Sequence, residues 1–141
     1  MPKLSKETAP NAADLGPMST RSGELAGYTV EFTTFHEDAD GTPMFRGLPD
    51  DRCQSPHWGY VLNGALTFRY ADRDETYEAG DAYYADPGHV PVVTAGTEVV
   101  EFSPTGEYRQ TLDVVGANLA ALASSRSHSE STRPVREPKC V

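Results

Sequence analysis

The sequence predicts an all-β domain, a sandwich or barrel of short strands with one helix near its C-terminal end. Three observations carry that expectation. Between Tyr28 and Phe102, short runs alternate apolar and polar residues and are rich in β-branched and aromatic side chains. Turn residues punctuate those runs at close spacing: Asn63-Gly64, Gly80-Asp81, Asp86-Pro87-Gly88 and Ala95-Gly96. A helical period of apolar residues occurs clearly only after Ser103.

In chain order, residues 1–24 are rich in Ser, Thr, Ala, Pro and charge without a sustained period, and are expected to form a flexible arm. The barrel is expected over 25–103. Residues 28–35 read as its first strand. A second run, 57–62, ends at Asn63-Gly64, a dipeptide suited to a type I′ hairpin turn because both residues tolerate positive φ. Residues 65–70 then alternate, with Leu66, Phe68 and Tyr70 on one face and Thr67 and Arg69 on the other. Four shorter strands follow, at 75–78, 82–85, 90–94 and 97–102. The helix is expected over 104–123, with Ser103 as N-cap and Pro104 in the first helical position, where its missing N–H does no harm. Tyr108, Leu112, Val115, Leu119 and Leu122 make its apolar stripe. Gly116 weakens such a helix by about 1 kcal/mol, so packing on the barrel or on a second subunit must hold it. Residues 124–141 are low-complexity Ser/Arg/Pro sequence and are expected to be disordered.

Composition narrows the function. A chain of 141 residues is one ordinary domain, large enough to bury roughly two-thirds of its unfolded surface. Its two cysteines, Cys53 and Cys140, do not make a disulfide framework, which points to a reducing, cytoplasmic setting. The N-terminus lacks the apolar stretch of a signal peptide, and no apolar run reaches the ~18 residues a membrane span needs. The net charge is −9, and residues 26–123 hold 16 acidic side chains against 5 basic ones. Such a surface repels phosphate backbones and anionic membranes, so neither nucleic acid nor a membrane is an expected partner.

The candidate chemistry lies in Cys53, His57 and His89. On an extended strand, positions 51, 53, 57, 59 and 61 can share one face. Gly59 would leave room near an ion there, and Val61 would close the floor. Zinc accepts thiolate and imidazole together, and three protein ligands leave the open position of a catalytic site. Asp51 is a candidate fourth ligand; the alternative is a plain loop residue. Cys53 and the histidines also have a bland alternative, as a small hydrophobe and structural core residues. Tyr83 points inward by alternation and is a candidate for positioning or protonating a substrate, or else for packing alone. Trp58 and Tyr60 should face outward. His36 sits in an acidic turn and should be exposed, and His128 and Cys140 fall in the tail, which offers no fixed geometry.

The stretch Cys53-Gln-Ser-Pro-His57-Trp-Gly-Tyr-Val-Leu-Asn-Gly64 resembles the first motif of the cupin superfamily, and Gly80-Asp-Ala-Tyr-Tyr-Ala-Asp-Pro-Gly88-His89-Val-Pro91 resembles the second. The resemblance spans about residues 28–102. It implies a cupin-type double-stranded β-helix, a jelly-roll barrel, with a divalent metal ion inside. The ligand positions depart from the family pattern. Counting back from Gly64, His57 stands where the family has its glutamate, Cys53 at the second histidine and Asp51 at the first. The usual histidine of the second motif is Pro91, with His89 two residues earlier on the same face. A thiolate in the set favours zinc, with iron second, over manganese. The resemblance therefore implies a small metal-dependent enzyme acting on a small polar molecule in the barrel pocket. Its alternatives are a non-catalytic metal-binding or small-molecule sensor module and a metal-free structural barrel; fold alone does not choose the reaction. By the same analogy the protein is expected to be a homodimer.

Overall fold

The computed structural model describes residues 2–131. Ten strands make two antiparallel sheets. They are β1 (Asn11–Asp14), β2 (Met18–Leu25), β3 (Tyr28–Phe35), β4 (Ala39–Asp40), β5 (His57–Asn63), β6 (Ala65–Arg69), β7 (Asp74–Glu78), β8 (Ala82–Ala85), β9 (Val90–Val93) and β10 (Glu98–Pro104), followed by the helix α1 (Thr105–Ser131). The larger sheet runs β1-β2-β3-β10-β5-β8 and the smaller β4-β9-β6-β7. Their inner faces meet in a core of Val61, Leu66, Phe68, Tyr83, Ala85, Val93 and Val99, drawn from both sheets. Leu66 and Phe68 are inward as the alternation of β6 requires, and full burial of such a side chain contributes about 1.5–3 kcal/mol. A second apolar cluster of Phe45, Leu48, Cys53 and Val90 lies against Val114 and Val115 of α1.

The pairing register arranges the inner wall of the larger sheet in layers. Val99 stands opposite Val61 on one side and Thr33 on the other; Glu101 stands opposite Gly59 and Glu31; Ser103 stands opposite Thr29. On the next strand, Tyr83 pairs with Gly59 and Ala85 with His57. The inner face of β10 therefore runs from apolar to acidic to hydroxyl within five residues.

Three expectations are corrected. First, much of the N-terminal arm is sheet. The eight residues of β2 pair with β3 along its whole length, and β1 folds back on β2. The segment has no apolar alternation of its own, because its order comes from the N–H and C=O groups that β3 would otherwise leave unpaired. Gly23 of β2 lies under the N-terminal residues, where a Cβ would come within 2.8 Å of Leu4. Arg21 Nη2 fastens that segment by donating to the Ala9 carbonyl at 2.9 Å.

Second, Asn63-Gly64 does not close a hairpin. β5 and β6 belong to different sheets, and only Gly64 of the pair has positive φ, +80°. The chain turns a corner between sheets, tightly enough that a Cβ on Gly64 would lie 2.7 Å from Thr97 Cα. Thr97 Oγ1 fixes the corner by bonding both the N–H and the C=O of Ala65, at 3.1 and 3.0 Å.

Third, Ser103 and Pro104 end β10, and α1 begins at Thr105. The helix continues to Ser131, past the expected end at 123 and into the expected disordered tail; residues 132–141, with Cys140, lie outside the described residues. Its inward face is Tyr108, Thr111 and Val115, whereas Leu112 and Leu122 are exposed. Asn118 Nδ2 donates to the Met44 and Arg46 carbonyls at 2.7 and 2.9 Å, so polar residues help seat the helix. Among the described residues no helix is long and apolar enough to cross a membrane.

Candidate metal centre and its cavity

Cys53, His57 and His89 converge inside the barrel. Each offers one ligand atom, and these atoms lie within 4.8 Å of one another, close enough to hold a metal ion. Local backbone structure brings them together. Cys53 and His89 form an isolated bridge between chain segments, in which Cys53 N–H donates to the His89 carbonyl at 2.9 Å and Gly88 N–H to the Cys53 carbonyl at 2.7 Å. The Asp86-Pro87-Gly88 turn that leads into His89 has Gly88 at φ +96°. His57 opens β5, facing in by the alternation that also buries Val61.

The two rings are held from behind. His89 Nδ1 donates to the Asp86 carbonyl at 2.7 Å, which leaves Nε2 unprotonated in the neutral ring. His57 Nδ1 bonds Ser103 Oγ at 2.6 Å. Thus Ser103, expected as a helix cap, is instead a buried partner of a site histidine. Cys53 Sγ lies 3.5 Å from His57 Nε2 and 3.6 Å from Thr111 Oγ1 of α1. Burial pushes the Cys53 thiol up to about 11 and, with the neighbouring imidazole acting on His89, holds His57 and His89 down to about 4. All three are neutral near pH 7. A thiolate–imidazolium pair is disfavoured at both ends.

Asp51 does not join them. Residues 49–51 form a 3-10 turn rather than a strand, Asp51 has φ 55°, and its Oδ1 accepts the Gly47 N–H at 2.9 Å on the surface. The expected shared face of positions 51 and 53 fails at that turn. Tyr83 does point inward, but its ring lies over Gly59, where a Cβ would come within 2.8 Å of Tyr83 Cε1. The room left by Gly59 is thus filled by tyrosine. The Tyr83 hydroxyl donates to Glu101 Oε1 at 2.6 Å, so it supports a carboxylate rather than facing the cavity. His36 is exposed and bonds Ser19.

The sequence reading missed two glutamates. The cluster opens on a cavity of about 110 Å³ whose wall includes Glu31 and Glu101 beside Cys53, His57 and His89. Tyr108 of α1 donates to Glu31 Oε1 at 3.0 Å. Burial, and then the facing Glu101, pushes Glu31 up to about 7; burial also raises Glu101, against the bond from Tyr83. Both were legible in principle. Glu101 shares the face of Val99, and Glu31 that of Thr33 and Phe35, inside strands otherwise poor in charge. Tyr108 and Thr111 reach the same cavity from the helix.

No protein-family model and no curated protein matches the chain. Solved structures do. An RmlC-like cupin from Shewanella frigidimarina superposes with a TM-score of 0.52 at 20% identity, over 72% of this chain and 88% of that one. A protein of unknown function from Rhizobium leguminosarum bv. viciae gives a TM-score of 0.52 at 16% identity, over 73% of this chain and 95% of that one. At these identities the likeness speaks to the fold, which is the cupin-type jelly-roll barrel.

Proposed function

On this cupin-type barrel we propose a divalent metal site, zinc first and iron second, made by Cys53 Sγ and the imidazoles of His57 and His89, in an enzyme that acts on a small polar molecule in the cavity. The observation that carries the proposal is the convergence of three ligand atoms within 4.8 Å. The donor set fits zinc, whose tetrahedral ligand atoms lie roughly 3.3–3.6 Å apart given its bond lengths, so modest side-chain rotations close the site. Outer hydrogen bonds of the kind that Ser103 and the Asp86 carbonyl make are those that orient metal-bound histidines.

A bound ion would supply Lewis acidity and lower the pKa of a coordinated water. The chain's own groups have separate tasks. Cys53 must release its proton as it ligates, so ion uptake is linked to pH. Glu31 and Glu101 can each hold or give up a proton at a carboxylate facing the cavity. Tyr83 and Tyr108 fix the orientation of those carboxylates, and Tyr108, Thr111 and Val115 of α1 form one side of the cavity. One observation favours a second reading, a binding or sensor module without turnover: Cys53, His57 and His89 are only 1%, 4% and 1% exposed.

Elemental analysis of the purified wild type beside Cys53→Ser, His57→Ala and His89→Ala tests the site. The expected result is close to one ion per chain, lost in each variant. A wild type without metal after loading with zinc or iron(II) rules the proposal out. If the ion is present, a panel of small polar molecules that bind without turnover decides for the sensor reading.

A further inference from the structure

Resting on the metal site proposed above, we infer that the cavity takes a small ligand whose far end is a cationic hydrogen-bond donor, such as a primary ammonium, and turns away ligands with a carboxylate there. The geometry behind this is the cross-strand pair Glu101 and Glu31, directly opposite in the β10–β3 register. Both carboxylates line the cavity that holds the Cys53–His57–His89 cluster. In each, Oε1 is already taken: Glu101 accepts from Tyr83, and Glu31 from Tyr108 and, at 3.4 Å, from Thr33. No hydrogen bond among the described residues uses either Oε2, which leaves two acceptors without partners inside one cavity. The lining contains no lysine or arginine among the described residues.

Two half-buried carboxylates directly opposite on paired strands repel each other, and any third anion, once ionised. An ammonium brings three donors, enough to meet both free oxygens, and relieves that repulsion. The cavity, about 110 Å³, limits the ligand to a handful of heavy atoms. Glu31 and Tyr108 also line an outer groove between the β1–β2 hairpin and α1, so a ligand entering from that groove would meet Glu31 before the histidines.

Three thiols of nearly equal size test the inference, since each offers the ion the same sulfur: cysteamine, 2-mercaptoethanol and mercaptoacetate. Titrated into the cobalt(II)-loaded full-length protein and followed by the thiolate-to-cobalt absorption band, they should bind in that order. Cysteamine should be at least about tenfold tighter than mercaptoacetate, a difference of roughly 1.4 kcal/mol. In the double variant Glu31→Gln/Glu101→Gln, with cobalt stoichiometry and thermal midpoint measured as controls, the spread should shrink to within about threefold. A wild type that loads cobalt but binds mercaptoacetate as well as or better than cysteamine overturns this inference and leaves the metal site standing. A wild type that loads no cobalt overturns both. An unchanged ranking in a folded, loaded double variant also overturns it, because the selectivity would then come from elsewhere.

Discussion

The two ends of the barrel interior are built on the same strands and yet differ in kind. At one end Val61, Ala85 and Val93 pack as an apolar core, with Leu66 and Val99 carrying it to the cavity wall. Two to four residues further along β5 and β10, the same inward positions carry His57 and Glu101, which line a cavity, and Ser103, which bonds His57. The difference teaches that the larger sheet divides its labour along the strands rather than between them. The apolar layer anchors the register, and the register delivers the polar groups to fixed positions. A slip of one residue would move both sets to the opposite face together.

The comparison can be broken first at the apolar end. Leu66 is 2% exposed, and Leu66→Ala should cost about 2–5 kcal/mol in denaturant unfolding. A loss below ~1 kcal/mol would mean that this end is not the anchor. At the wet end, Glu31 provides a pH test in metal-free protein. Its folded pKa, about 7, lies above the ordinary 4.5, so the folded state holds this proton more tightly than the unfolded one. The stability it contributes is complete below pH 4.5 and is lost as pH rises through about 7. Glu31→Gln cannot ionise. Relative to wild type it should therefore gain roughly 1–3 kcal/mol between pH 4.5 and pH 8, read as the change in the difference between the two unfolding curves. A difference that does not vary with pH would show that Glu31 ionises normally.

The hydroxyl layer should yield a smaller and more specific effect. Ser103→Ala removes the partner of His57 Nδ1 and should weaken zinc binding by about 10–100-fold in chelator competition, with most of the fold's stability intact. Unchanged affinity would make that hydrogen bond incidental. The smallest effect belongs outside. Arg73 pairs with Asp72, Glu75 and Asp86 and lies over the Tyr70 ring, but it is 39% exposed. Arg73→Ala should leave stability in denaturant unfolding nearly unchanged, because exposed pairs of this kind contribute little. A larger loss would shift weight from the interior layers to this surface network.

How much of this was legible depends on whether a residue's neighbours lie near it in sequence. β3, β5 and β6 were readable because each carries its own alternation and turn residues. β2 was not, since Met18–Leu25 is a strand only by virtue of β3 beside it. The type of corner at Gly64 was hidden for the same reason: Asn-Gly indicates a reversal, and only Thr97, 33 residues later, makes it a step between sheets. Among site residues, Cys53, His57 and His89 stood out by their chemistry. Ser103 reads locally as a helix cap because a serine before a proline has two uses, and a histidine on another strand makes the choice. Asp51 failed because alternation was carried across a proline-led turn where it does not apply. Glu31 and Glu101 were present as charges on otherwise uncharged inner faces, a signal that composition alone dilutes.

Gly59 and Tyr83 occupy one volume between them, since the ring lies where any side chain at 59 would have to be. Space in this wall is therefore transferable between neighbouring strands. A methyl group added at 59 would have to displace the ring and, with it, the hydroxyl that holds Glu101. Cutting Tyr83 back while filling Gly59 would instead keep the wall closed and leave that carboxylate unsupported. Two positions that are not candidate ligands, one of them two residues from His57 on β5, thus act as a dial on the cavity's acidity, one that an engineer could turn without touching a candidate ligand.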